Sequence, residues 1–129
     1  MSSLVIIGAA FAVPATVDYV FDGDTFSADV ALDGGTNVKA RIRLSNVDTP
    51  EMNGKCESEK HRAVMARERL MQLTPRGTVV ELKNIKDDKY LGRIDANVIL
   101  PDGRDVGNIL IKEKLGRSYS GGRRAGWCD

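Results

Sequence analysis

The chain has one histidine and two cysteines among its 129 residues. Cys56, Cys128 and His61 do not supply the spacing or the ligand number of a tetrahedral zinc site, so the zinc-organised classes are excluded. Long apolar runs are also missing. Leu4–Val13 is too short to span a bilayer as a helix, and no other stretch has the character of a membrane span. The formal net charge is only +1, without the strongly basic balance that simply marks a nucleic-acid-binding domain. Internal repeats and low-complexity segments are absent as well. What is present is ordinary for a globular domain: 42% apolar and 29% charged residues, in a length suited to one core.

Charge is unevenly spread. Residues 1–38 carry five aspartates and no Lys or Arg, whereas residues 39–93 carry 13 Lys/Arg against 8 Asp/Glu. A nearly neutral chain can therefore present a local anion-attracting surface. Leu4–Val13 has the length of a signal-peptide apolar region, and Ala10-Phe11-Ala12 fits a small-x-small cleavage pattern, but no basic residue precedes it. Residues 1–14 stand either as a leader remnant or as an extra N-terminal strand, with 15–129 as a single domain. In an oxidising compartment, a Cys56–Cys128 disulfide would tie the tail to the start of the middle helix, worth roughly 4 kcal/mol by loop closure. In a reducing cytosol both would be free thiols.

Thr16–Phe21 reads as a strand with Val17, Tyr19 and Phe21 on one face. Asp22-Gly23-Asp24 is turn chemistry, a second strand runs through Thr25–Leu32, and Asp33-Gly34-Gly35 turns again. In the third strand Val38, Ala40, Ile42 and Leu44 alternate with Lys39, Arg41, Arg43 and Ser45, giving one apolar and one cationic face. Ala63, Ala66, Leu70 and Leu73, widened by Val64 and Met71, mark a helix capped by Ser58 and stopped by Pro75 and Gly77. Strands Thr78–Ile85 and Arg93–Leu100 follow, then a helix from an Asp105 cap to Leu115. Three strands, a helix, two strands and a helix is the order of an α+β, five-stranded OB-fold β-barrel with two to three helices.

Four pieces need a joint explanation: Asp22–Thr25 (DGDT), Arg43–Glu51 (RLSNVDTPE), Asp88–Arg93 (DKYLGR) and Val106–Gly116 (VGNILIKEKLG). Singly, each has an ordinary reading as a turn, a strand exit or a solvated strand start. Together, and in this order, they resemble the staphylococcal nuclease (thermonuclease) family over about Thr16–Tyr119. The resemblance implies an OB-fold, Ca²⁺-dependent phosphodiesterase that cuts DNA and RNA and leaves 3′-phosphates. It implies that Asp24 and Asp48 bind the metal with the main-chain carbonyl of Thr49. Glu51 would orient or deprotonate the attacking water, and Arg43 and Arg93 would hold the scissile phosphate. Asp22 would have a supporting role. Lys89, Tyr90 and Tyr119 approximate the family's nucleotide-contacting positions, although Tyr119 reads equally as a core aromatic with a wet hydroxyl.

The chemistry of these residue types suits the implied roles. Ca²⁺ accepts carboxylate, carbonyl and water oxygens with loose geometry. Arginine is better than lysine on phosphate because its planar fork donates two parallel hydrogen bonds and stays charged. Two departures stand out: Leu91 is an extra residue before Gly92-Arg93, and the link Met52–Lys55 from Glu51 to the helix is short. The tail SYSGGRRAGWCD diverges, but its Cys128, with Cys56, resembles exported members of the family, implying a periplasmic or secreted protein; a cytoplasmic one is the alternative. His61, Lys60, Arg62, Arg67 and Arg69 read as a solvated helix face, and Trp127 as a tail anchor. The competing reading is a non-catalytic OB-type nucleic-acid-binding module, against which all of Asp24, Arg43, Asp48, Glu51 and Arg93 are present. DNA and/or RNA is the expected partner, with no membrane; the oligomeric state is open, a dimer included.

Overall fold

The computed structural model describes residues 12–32, 35–87 and 92–128. Strands β1 (Val13–Asp22), β2 (Thr25–Ala31) and β3 (Asn37–Leu44) form an antiparallel meander. A two-residue strand β4 (Val47–Asp48) precedes helix α1 (Glu57–Leu73). Strands β5 (Val79–Asp87) and β6 (Arg93–Ile99) pair antiparallel; helix α2 (Val106–Lys112) and the short β7 (Arg117–Ser118) follow. The barrel closes in the order β1-β2-β3-β6-β5, with β3 and β6 parallel and β5 returning to β1. This is the five-stranded OB-type barrel read from the sequence, with two helices among the described residues.

Inward-facing apolar side chains fill the barrel: Phe26, Ile42, Leu44, Leu82 and Val98 are fully buried, and Leu70 of α1 and Leu110 of α2 join the same core. Each such side chain contributes about 1.5–3 kcal/mol on burial. The expected alternation fails in β1. Pairing with β2 shifts register between Val17 and Tyr19, so Val13, Ala15, Val17 and Val20 face inward while Tyr19 is 54% exposed. A bulge of one residue moves the following side chains to the opposite face. Tyr19 and Phe21 meet edge to face on the outside, with Arg41 stacked on Phe21.

Helix α1 covers the barrel with Ala63, Ala66 and Leu70, while Val64 and Met71 are exposed rather than part of the buried stripe. Its N-cap is Cys56, not Ser58: the Cys56 sulfur accepts from Glu59 N–H at 3.4 Å, and Ser58 lies inside the first turn. At the other end the Thr74 N–H and hydroxyl both donate to the Leu70 carbonyl, ahead of Pro75. Helix α2 takes Asp105 as its cap, as expected, but stops at Lys112 rather than Leu115. Lys114 is left-handed (φ 63°), which turns the chain so that the N–H groups of Leu115 and Gly116 close on the Leu110 carbonyl. Two hydrogen bonds of 2.8 Å from Arg69 to Glu113 join the helices. No helix among the described residues is long and apolar enough to cross a membrane.

Candidate functional site

The site is assembled by turns and strand ends at one rim of the barrel. Asp24 lies in the β1–β2 turn, where its N–H donates to Asp22 Oδ1 (3.1 Å) and its carbonyl accepts from Leu44 N–H at the end of β3 (2.9 Å). Gly23 is required there by close approach: a Cβ would lie 2.7 Å from Ala66 Cβ and 2.8 Å from Thr49 Oγ1. Asp48 belongs to β4, which pairs with β7 through Val47↔Ser118 and Asp48↔Arg117. Thr49 N–H donates to Asp24 Oδ2 at 3.3 Å, so both carboxylates and the Thr49 main chain meet in one buried cluster.

Arg43 holds this cluster together. Its guanidinium is buried, donates to the carbonyls of Leu44 and Val47, and stands 3.4 Å from Asp24 Oδ2 and 3.8 Å from Asp48 Oδ1. Registering Arg43 of β3 against Asp95 of β6, and Arg41 against Arg93, brings Arg93 to the same rim. Arg43, Lys86, Arg93, Tyr119 and Arg124 line a cleft of about 280 Å³ next to the carboxylates. Tyr119 is half-buried, with its ring 5.4 Å from the Arg43 guanidinium and its hydroxyl donating to the Gly122 carbonyl at 2.7 Å. Lys89 and Tyr90 lie outside the described residues.

Glu51 projects at the mouth, with a half-exposed carboxylate. Its backbone is fixed by Glu59, whose Oε2 accepts from Glu51 N–H (3.1 Å) and whose Oε1 accepts from Lys55 N–H (2.9 Å). These two donors, Lys55 first, hold the Glu59 carboxyl below its ordinary range. Burial, then the negative charge of Asp24, pushes the Asp22 carboxyl up to about 7, with Glu51 adding to the rise. Carboxylates so crowded favour a cation.

Could the residues hold calcium? Asp48 Oδ1 is buried and accepts no hydrogen bond, although guanidinium groups lie within ion-pair distance of it. With Asp24, Asp22 and the Thr49 carbonyl beside it, the donors are all hard oxygens, which fits Ca²⁺. Asp24, Asp48 and Thr49 are brought together, and Glu51, Arg43 and Arg93 surround them.

Sequence reasoning missed Glu59 and Arg124. Glu59 is the third residue of α1, the position from which a carboxylate reaches back to N-terminal N–H groups, and that spacing was the available signal. Arg124 reaches the site because the tail is clamped: Cys128 is disulfide-bonded to Cys56 across 72 residues. Trp127 is buried, donates Nε1–H to Asp48 Oδ2 at 3.2 Å, and is stacked under Arg117 at 3.7 Å. It is the tail anchor expected, and it also touches the acidic cluster. His61 is exposed on α1.

Fold and site together define an OB-fold barrel with an acidic cluster set beside a cleft lined by arginines, with Asp95 also in its wall. The family model of the staphylococcal nuclease homologues matches residues 41–125, from β3 into the tail. The chain belongs to this family, one of nucleases and nucleic-acid-binding domains. No curated protein matches it.

Proposed function

We propose that the protein is a Ca²⁺-dependent nuclease that hydrolyses DNA and/or RNA and leaves 3′-phosphates. The observation that carries this reading is the meeting of Asp24, Asp48 and the Thr49 main chain around Arg43, beside a cleft that Arg93 also lines. When bound to these oxygens, Ca²⁺ supplies positive charge against the negative charge that builds around phosphorus. Arg43 and Arg93 bind the non-bridging phosphate oxygens with planar forks. Arg43 is already held rigidly by two main-chain carbonyls, so little rotamer freedom is lost when substrate arrives.

Glu51 stands where water reaches it and accepts a proton from the attacking molecule. The water oxygen bonds to phosphorus and the P–O5′ bond breaks. The departing oxygen takes a proton from solvent water and becomes a 5′-hydroxyl, the phosphate stays on the 3′ side, and Glu51 returns its proton to solvent. Glu59, by holding the Glu51 backbone, keeps the base in reach. The Cys56–Cys128 disulfide supports an exported location, periplasmic or secreted, where such bonds persist.

Mass spectrometry of short DNA and RNA oligonucleotides incubated with the protein and Ca²⁺ tests the reading. Fragments ending in 3′-phosphate with 5′-hydroxyl partners are expected. Intact oligonucleotides of both kinds, or 5′-phosphate ends, contradict it, and intact but bound oligonucleotides favour the binding-module alternative.

A further inference from the structure

The tail arginine claims the same oxygens as the cation. Arg124 Nε lies 2.5 Å from Asp48 Oδ1, its Nη2 donates to Glu51 Oε2, and Nη2 is 3.5 Å from the Thr49 carbonyl. These are two of the oxygen donors assigned to the metal and the side chain assigned to the water. A Ca²⁺ at about 2.3–2.6 Å from these oxygens would bring its charge against the guanidinium that already touches them, so ion and Arg124 compete for the same donors.

Arg124 is delivered there by construction. At one end of the tail, β7 pairs with β4, which contains Asp48. Gly121 and Gly122, with φ of 98° and 82°, take left-handed conformations that suit glycine and turn the chain back over the site. At the other end Trp127 is fixed to Asp48, Arg117 Nη1 donates to the Gly126 carbonyl at 2.7 Å, and Cys128 is bonded to Cys56. The guanidinium is thus tethered at both sides, which gives it a high local concentration at the carboxylates.

We propose that Arg124 is an internal counter-cation of the metal site, which occupies Asp48, Glu51 and Thr49 until a divalent ion displaces it and thereby sets the ion affinity. The proposal rests on the calcium reading given above. A guanidinium that holds the site in nine-tenths or more of the ion-free molecules lowers apparent ion affinity by about tenfold or more. Displaced Arg124 moves toward the adjoining cleft it already lines, where substrate phosphate offers it another anion.

Calcium titration of the wild type and Arg124→Gln by calorimetry, with Trp127 fluorescence as an independent readout, tests this. Trp127 is the only tryptophan and touches Asp48 directly. Arg124→Gln is expected to bind Ca²⁺ about 10- to 100-fold more tightly, and Arg123→Gln, an exposed neighbour, as the wild type does. In the unaltered chain the NMR signal of Arg124 Nε–H should move with calcium saturation, a readout that does not depend on the variant's folding. Equal or weaker calcium binding by Arg124→Gln, or a static Nε–H signal, overturns the proposal and leaves the nuclease reading standing. No calcium binding by either protein overturns both.

Discussion

Replacing both cysteines by serine should cost the chain a large part of its stability. The Cys56–Cys128 bond closes a loop with a sequence separation of 72 residues. Loop-closure entropy for that length is about 4 kcal/mol in the unfolded chain. At an unfolding entropy of about 2 cal/mol/K per residue, the loss corresponds to a fall in Tm on the order of 15 °C. Serine is the suitable replacement because Cys56 caps α1, and a hydroxyl accepts from the Glu59 N–H at least as well as sulfur does. The assay is urea unfolding in chelator, followed by far-ultraviolet circular dichroism for the whole fold and by Trp127 fluorescence for the tail. In the double-serine variant the fluorescence transition should precede the dichroism transition, because the tail around Trp127 is then held only by non-covalent contacts such as those with Asp48, Arg117 and Arg62. A loss below about 1 kcal/mol with coincident transitions would mean that the tail is held by something other than the crosslink.

Arg43→Met should destabilise the fold by about 3 kcal/mol in chelator, because it removes the cation shared by two buried carboxylates. Arg43→Lys keeps charge but loses the fork, and its cleavage rate should fall by about 100-fold or more. Glu59→Ala leaves the N–H groups of Glu51 and Lys55 without their acceptor, at about 2 kcal/mol, and should lower cleavage by loosening Glu51; unchanged turnover would count against Glu59 as a positioning residue. Asp22 carries the pH prediction. Its folded-state carboxyl is raised to about 7 from 3.8, so the native state holds an extra proton in that window. Calcium-free stability should therefore decline as pH rises from about 4 to about 7. Asp22→Asn should abolish that decline and gain on the order of 2 kcal/mol at pH 8, partial exposure having been allowed for. A denaturant series at several pH values reads it directly, and identical slopes for the two proteins would defeat it.

Local pattern was enough to find the five barrel strands and the Asp105 cap, because alternation and turn residues act over a few neighbours. The Asp24–Asp48–Arg43 constellation was legible only through the family resemblance, since each piece alone reads as an ordinary turn or strand; in the fold its members sit on a turn, a strand end and a strand brought close together. What was not legible depends on contacts far apart in the chain. The bulge in β1, which turns Tyr19 outward, leaves no residue signature. The pairing of Asp48 with Arg117 involves two residues on each side, too few for a periodic signal. Arg124 reads in the sequence as one of two arginines in a divergent tail, and only the disulfide and Trp127 carry it to the site. Glu59 reads as a surface helix residue because burial of its carboxylate depends on the short loop folding back over it.

The proposed function requires that these carboxylates and arginines form a calcium-dependent hydrolytic site. Its most direct test is degradation of single-stranded DNA, duplex DNA and RNA by the wild type and Glu51→Gln, with Ca²⁺ and with excess chelator, alongside oligonucleotide binding by both proteins. Cleavage by the wild type is expected only with Ca²⁺, with a loss of cleavage in Glu51→Gln far greater than its loss of binding. Cleavage that persists in chelator, no cleavage of any substrate in Ca²⁺, or an equal loss of cleavage and binding in the variant would contradict it.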